Sequence, residues 1–463
     1  MQQSKKGYLS EYKRKITLLE SLFAFKLIFF LCFSVYGQDI NLQKENELNK
    51  FQASVVKIDI TPENSQYLLG FEERKSTGID TRIYHRIMVL EDKNTRFLLV
   101  SSELCLFSPI EYDRIAEIVQ NQFGIKSDDF WWSVTHTHSA PEFGPYGLDE
   151  VFLERRFMHQ RDTDYTEFVE KELIKGIKKA ITQLEPARLG VGWGYSSANI
   201  NRRAKDIDKK SFIGIEPDGP VDRKVGILRI DKKDESPLAC IANYPIHGTA
   251  LGNDNLKING DVPGIVSDHF EQETGVPLLF INGAAGNLSP IYCCQPNPVA
   301  GHLSQFQIIL GDKIVEAYKK ILFTTKEVNI STGSLVIETP KKYGIKWPEN
   351  HNNYLRTANT GLELIRLPVR FLKLNEDIAV WSAPVELFCE ISNEIRQSSP
   401  FPYTFYFGYT NGWFGYLLTK DEYKFEGYES TVSPFTPEAG NDLKNEVKTY
   451  LEGEMKRLHS SSR

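Results

Sequence analysis

Three of the nine histidines in the chain stand in settings that suit metal or proton chemistry. His136 and His138 lie in Thr135-His136-Thr137-His138-Ser139-Ala140-Pro141. In extended backbone, residues i and i+2 face the same side, so both imidazoles are expected to point into one space, a metal ligand beside a proton carrier. Read alone, the pair is equally consistent with two histidines satisfied by local hydrogen bonds. His247 lies in Asn243-Tyr244-Pro245-Ile246-His247-Gly248-Thr249, ahead of a Gly- and Asn-rich stretch from Gly252 to Gly260. In Phe280-Ile281-Asn282-Gly283-Ala284-Ala285-Gly286-Asn287-Leu288-Ser289-Pro290, small residues let backbone approach a ligand closely, and Ser289 follows them. The chain lacks the G-x-S-x-G elbow of α/β-hydrolases, and a serine before proline in a loop is commonly only a turn.

Apolar runs that would position these residues alternate with amphipathic ones. Buried strands are expected over 97–106, 130–134, 225–230, 238–245, 277–281, 378–381 and 403–409. Helices are expected over 110–123 (ended by Gly124), 164–184, 263–273, 305–321 and 440–458. This is an α/β alternation with too many strands for one small sheet, without an internal repeat of fixed period. Each chemical motif falls after one strand: the histidine pair after the strand at Phe130, His247 after that at Leu238, and Ser289 after that at Pro277. Ligand sites in α/β folds gather at the carboxyl ends of strands, so the three endings can share one crevice.

The chain has 463 residues, 41% hydrophobic and 25% charged, enough for a substantial core and not a disordered composition. Lys5, Lys6, Lys13, Arg14 and Lys15 precede an apolar run from Leu22 to Tyr36, the layout of a signal peptide over residues 1–37 with cleavage before Gln38. An uncleaved anchor is the alternative. Phe30 and Leu31 before Cys32 are too bulky for a lipidation box. The reading is therefore an exported protein, periplasmic, extracellular or at the cell surface, with a polar linker over 38–52 and a single domain over 53–463. Without residues 1–37, which carry six basic and two acidic side chains, the formal net charge goes from −6 to −10. Such a surface, with no basic cluster, excludes nucleic acid as a partner. Five cysteines would remain, Cys105, Cys240, Cys293, Cys294 and Cys389, too few and too uneven for a disulfide framework, and no CxxC pair occurs.

Taken in series, the motifs resemble the neutral/alkaline, non-lysosomal ceramidase family. The segments that carry the resemblance are Val56-Lys57-Ile58-Asp59-Ile60-Thr61-Pro62, THTHSAP at Thr135, Asn199-Ile200-Asn201-Arg202, HGT at His247 with Asn259-Gly260-Asp261 after it, and Gly286 to Pro290. Gly408-Tyr409-Thr410-Asn411, Gly415 to Tyr423 and Tyr428-Glu429-Ser430-Thr431 continue it. Each is modest alone, and together they span about Ala53 to Pro437.

The resemblance implies that His136, His247, Glu386 and Tyr416 hold a zinc ion, Glu386 by a looser match at Ala383-Pro384-Val385-Glu386. Two imidazoles and a carboxylate are ordinary zinc donors; a phenol ionises near pH ~10 unless a cation stabilises the phenolate. It implies a zinc-dependent amide hydrolase that releases a fatty acid and a sphingoid base from a ceramide-like lipid, using a zinc-bound water whose pKa falls towards ~7. His138 would carry the proton to the leaving nitrogen, and Arg202 and Tyr428 would polarise the carbonyl. Ser289 is either a nucleophile or an anchor for a substrate hydroxyl; the anchor is favoured, because a zinc hydroxide is already a competent attacker. The implied partner is a lipid-like N-acyl compound, which allows peripheral membrane contact, and no obligate protein partner is inferred. The implied architecture is two mixed sheets face to face with helices outside, an αββα sandwich.

Two departures stand out. Where ceramidases have Gly-Asp-Val-Ser-Pro-Asn, this chain has Gly286-Asn287-Leu288-Ser289-Pro290-Ile291, which favours somewhat a second reading, another N-acyl or ester substrate. The chain also stops soon after the helix at Gly440, where ceramidases continue into a β-sandwich domain. A non-catalytic binding protein on the same scaffold is the third reading.

Overall fold

The computed structural model describes residues 51–292 and 303–461. The expected export segment, nearly all of the linker, and Cys293 and Cys294 lie outside the described residues. Cys105, Cys240 and Cys389 are free and buried.

Two sheets form the frame. The larger has eight strands in the order Leu278–Asn282, Pro237–Tyr244, Lys224–Lys232, Glu185–Tyr195, Gln52–Asp59, Tyr84–Glu91, Arg96–Ser102 and Phe130–Val134. The smaller runs Ile330–Pro340, Glu363–Leu374, Ile378–Ser382 and Tyr403–Phe407. Their inner faces share one core, in which Met88, Leu99, Trp131, Leu228 and Ile281 of the large sheet pack with Leu372, Val380, Phe405 and Phe407 of the small one. Fully burying each such side chain stabilises the fold by roughly 1.5–3 kcal/mol. Helices Pro109–Phe123, Thr163–Thr182, Asp261–Thr274 and Asp312–Lys320 cover the outer face of the large sheet. Cys389–Ser398 and Ala439–Ser461 cover that of the small sheet. The expected αββα sandwich is therefore observed.

The sequence explains several boundaries. Ser108 caps its helix by accepting from Ile110 N, and Gly124 ends it in the left-handed region at φ 70°. Asp162 caps the next, accepting from Tyr165 N at 3.0 Å. The expected strand to Leu106 stops instead at Ser102. Glu103 turns aside to pair with buried Arg86, and the chain beyond it presents backbone carbonyls to the histidine segment.

Three parallel strand pairs deliver the crevice. Arg96–Ser102 runs beside Phe130–Val134, Pro237–Tyr244 beside Leu278–Asn282, and Ile378–Ser382 beside Tyr403–Phe407. The first two pairs stand at opposite ends of the strand order, yet Ser101 Oγ donates to Phe280 O (2.6 Å) and Asn282 Nδ2 to Thr135 O (3.2 Å). The large sheet thus curls its ends together. Gly408 N donates to Asn282 O (2.9 Å) and Asn411 N to Trp132 O (2.8 Å), which brings the ending of the small sheet to the same place.

Candidate metal centre

His136 is the pivot, and its backbone is not extended. It lies at φ 64°, the left-handed region, held by His136 N donating to Leu104 O (2.9 Å) and Gly248 N donating to His136 O (3.2 Å). The two imidazoles of His136 and His138 do meet, Nε2 to Nε2 at 3.3 Å, but through this turn and not through strand alternation. The reason for the difference is the pairing of the two loops: Thr137 bridges Gly248 in parallel, and His138 N donates to Gly248 O at 2.8 Å. Gly248 is required there, because a Cβ would lie 2.5 Å from His136 O.

Both remaining imidazole orientations are fixed by carbonyls. His136 Nδ1 faces Cys105 O at 2.8 Å and His247 Nδ1 faces Leu288 O at 3.0 Å, so each ring donates from Nδ1 and turns the Nε2 lone pair inward. Those two Nε2 atoms lie 3.4 and 3.1 Å from Glu386 Oε2. Tyr416 OH is 3.5 Å from His247 Nε2, placed there because Glu386 and Tyr416 are register partners in a short parallel pair. Two imidazole nitrogens facing one carboxylate oxygen need a cation between them: a proton on His136, which Glu386 favours, or a metal ion in its place. Two nitrogens, a carboxylate and a phenol within reach of one another fit a zinc ion. Cys105 Sγ, His136 and His138 also bring ligand atoms together, but Cys105 Sγ stands 3.8 Å from His136 Nδ1, which is already committed to the carbonyl.

The electrostatics agree with a buried cation site. Burial opposes charge on His136, yet the adjacent Glu386 holds its pKa up at about 10. Burial raises Glu386, but attraction to His136 draws it well below the usual carboxylate range. His247 falls to about 4 through burial and the nearby Arg202 charge. His138 is pushed well down by burial and by the two other imidazoles, which keeps it neutral. Burial and Glu386 raise Tyr416, against Arg202.

Arg202 reaches the cluster from the strand Asn199–Lys205, its Nη2 donating to Tyr416 OH at 3.0 Å and its Nε to Glu429 Oε1 at 2.8 Å. Tyr428 stands one ring further out, its centroid 5.7 Å from that of Tyr416 at 70°. Ser289 is buried on the bridging strand Leu288–Pro290, opposite Ile200 on the strand that carries Arg202 and next to the carbonyl that fixes His247. The structure therefore gathers His136, His138, His247, Glu386, Tyr416 and Arg202 in direct contact, with Tyr428 and Ser289 at its edge.

Reading the sequence did not single out four residues that shape this cluster. Trp413 Nε1 donates to Glu386 Oε1 (2.8 Å) and Tyr409 OH to Oε2 (3.3 Å), Tyr409 also stacking on His136 at 4.2 Å. Glu429 joins Arg202 to Arg203, and Cys105 supplies its carbonyl. Tyr409 and Glu429 lay in segments recognisable from sequence, whereas a backbone carbonyl leaves no trace in residue type. Asn287, at the altered loop, accepts from Cys389 N (3.0 Å) and donates to half-buried Glu390 (2.8 Å). An aspartate there would set two carboxylates against each other.

The comparisons concern the family and the fold. The family described as "Neutral/alkaline non-lysosomal ceramidase, N-terminal" matches residues 51–282. "Neutral ceramidase" of Pseudomonas aeruginosa is 28% identical over 258 residues, 52% of this chain and 37% of that protein. "Neutral ceramidase B" of Dictyostelium discoideum is 26% identical over 277 residues, 57% of this chain and again 37% of the relative. The matched stretch thus spans little more than a third of these curated relatives. The crystal structure of the Pseudomonas aeruginosa neutral ceramidase superposes with a TM-score of 0.71 at 18% identity, covering 88% of this chain and 75% of that one. The chain belongs to the neutral/alkaline non-lysosomal ceramidase family.

Proposed function

We propose that the protein is an exported, zinc-dependent amide hydrolase that cleaves the N-acyl bond of a ceramide-like lipid to a fatty acid and a sphingoid base, with residues 53–463 as its catalytic unit. The observation that carries this reading is the pair of imidazole Nε2 atoms at 3.4 and 3.1 Å from one oxygen of Glu386. The names of three relatives, each a neutral ceramidase, support the substrate class.

His136, His247, Glu386 and Tyr416 would hold the zinc, which supplies Lewis acidity and lowers the pKa of a water towards ~7. His138 beside them accepts a proton and delivers it to the leaving nitrogen; burial keeps it neutral. Arg202, anchored by Glu429, and Tyr428 donate to the carbonyl oxygen as negative charge grows on it. Ser289 anchors a substrate hydroxyl. Among the described residues no helix is long and apolar enough to cross a membrane, so contact with a lipid surface through this unit would be peripheral.

The Asn287 and Glu390 pairing supports a second reading, the same chemistry on another N-acyl or ester compound. Assays with N-acyl sphingosines and N-acyl amino acids, before and after chelation, separate the readings. Release of fatty acid from the sphingosines that chelation abolishes and zinc restores is expected. Hydrolysis that survives complete metal removal would refute the zinc mechanism, and no hydrolysis of any substrate by zinc-loaded protein would leave a binding protein.

A further inference from the structure

Beside His138 lies an arginine that faces the Phe71 ring at 4.8 Å and that no carboxylate among the described residues balances. Arg74 is 6% exposed, and its guanidinium is spent on two neutral carbonyls: Nη1 donates to Asn255 O (2.8 Å) and Nη2 to His138 O (2.5 Å). Its Nε is buried without a hydrogen-bond partner, as is Nδ1 of His138. Among the described residues no carboxylate stands within ion-pair distance of Arg74. Burial draws its pKa down to about 10, with Cys105 opposing and the charge of Arg156 adding to the fall. An arginine buried without a counter-ion is costly, and such residues are ordinarily paired.

Arg156 reaches the same loop. Its Nη1 donates to Gly70 O (3.0 Å), and among the described residues the carboxylate paired with it, Glu72, is 4.0 Å away with a side chain 74% exposed, so water screens that pair. Gly70 closes the cluster: it lies at φ 114°, and a Cβ there would fall 2.4 Å from the His138 ring. Glu73, the other acid of this loop, is occupied by His159 at 2.9 Å. The two guanidiniums are thus each bound to a carbonyl of the Gly70 and His138 contact, with positive charge left over.

We infer that Arg74 and Arg156 form an oxyanion subsite for a carboxylate or phosphate on the amine half of an N-acyl substrate. The inference rests on the reading of His138 as the group that serves the leaving nitrogen, since that reading places the amine half beside these arginines. An anionic head group would supply the missing counter-ion, accept from buried donors, and orient the scissile amide by a charge-assisted contact. A neutral ceramide would leave Arg74 unmatched.

Calorimetric binding to zinc-depleted protein reads the subsite apart from catalysis. N-lauroylglycine is expected to bind on the order of 10- to 100-fold more tightly than N-lauroylethanolamine, the gain of a hydrogen bond to a charged group. Arg156→Gln should reduce that ratio to about 3 or less, and Arg156→Lys should keep most of it; Arg156 is the primary target because it is the less buried of the two. Arg74→Gln should act likewise where it folds. Equal binding of both ligands by the wild type would overturn the inference, as would Arg156→Gln weakening both equally. Free laurate binding as tightly as N-lauroylglycine would also overturn it, by assigning the arginines to the released acid. With zinc-loaded protein, faster hydrolysis of ceramide 1-phosphate than of ceramide is the expected preference. A binding preference without hydrolysis of either would refute the hydrolase reading and leave the subsite standing.

Discussion

The indole Nε1 of Trp413 donates to Oε1 of Glu386 at 2.8 Å, which leaves Oε2 as the oxygen that faces both imidazoles. Partners of this kind orient a ligand and tune its affinity. Trp413→Phe keeps the ring and removes the donor, so zinc affinity should fall about 10- to 100-fold. Competition with a chromophoric chelator measures it, and unchanged affinity would show that the indole only fills space.

Glu429 is buried between Arg202 and Arg203, accepting from Arg202 Nε at 2.8 Å and from Arg203 Nη1 at 2.6 Å. Burial opposes its ionisation and the two guanidiniums restore it, so its pKa lies below the usual value. Replacement by Gln leaves two buried cations facing each other. Denaturant unfolding should show a loss on the order of 3–5 kcal/mol, and the kcat of amide hydrolysis should fall with it as Arg202 loses its anchor.

The left-handed turn at His136 gives a backbone test. Gly248→Ala places a methyl 2.5 Å from His136 O and 2.6 Å from Thr137 Cα, both backbone atoms that cannot yield. Lower thermal stability and weaker zinc binding are expected together. Gly453→Ala, in the last helix with nothing within 4 Å of the new methyl, should instead stabilise by about 0.5–1 kcal/mol. Equal effects of the two would contradict the close approach.

Acid stability follows from His85. Its Nδ1 meets Ser102 Oγ at 2.6 Å and its Nε2 meets Val169 O at 3.2 Å, and burial lowers its pKa from 6.5 to about 4. A group neutral in the fold and protonated more readily when unfolded contributes stability that is complete above pH 6.5 and is lost as pH falls towards 4. The loss is on the order of 3 kcal/mol. His85→Gln should flatten the profile between pH 6.5 and 4, and a profile as steep as that of the wild type would assign the effect to other groups.

The frame was legible where apolar runs were long. The strands at Phe130, Leu238 and Pro277 are largely buried and read as continuous hydrophobic stretches, and Gly124 marks the end of its helix chemically. Ile330–Pro340 and Glu363–Leu374 escaped such a reading, because exposed residues such as Val336 and Arg366 alternate with buried ones along them. His136, His138 and His247 announced themselves by type and by their places after strands. Their actual convergence depends on a positive φ and on carbonyls of Cys105, Leu104 and Leu288, which belong to tertiary structure and not to residue identity. Glu386 and Tyr416 carried no signal of their own beyond resemblance, and it is the register of one short strand pair that sets them side by side.

Zinc content of the purified protein, after exposure to excess zinc and removal of loosely held metal, tests the central claim most directly. One zinc per chain in the wild type is expected, lost in His247→Ala and Glu386→Ala variants that keep their circular dichroism. A wild type that retains no zinc, or variants that retain it fully, would contradict the account.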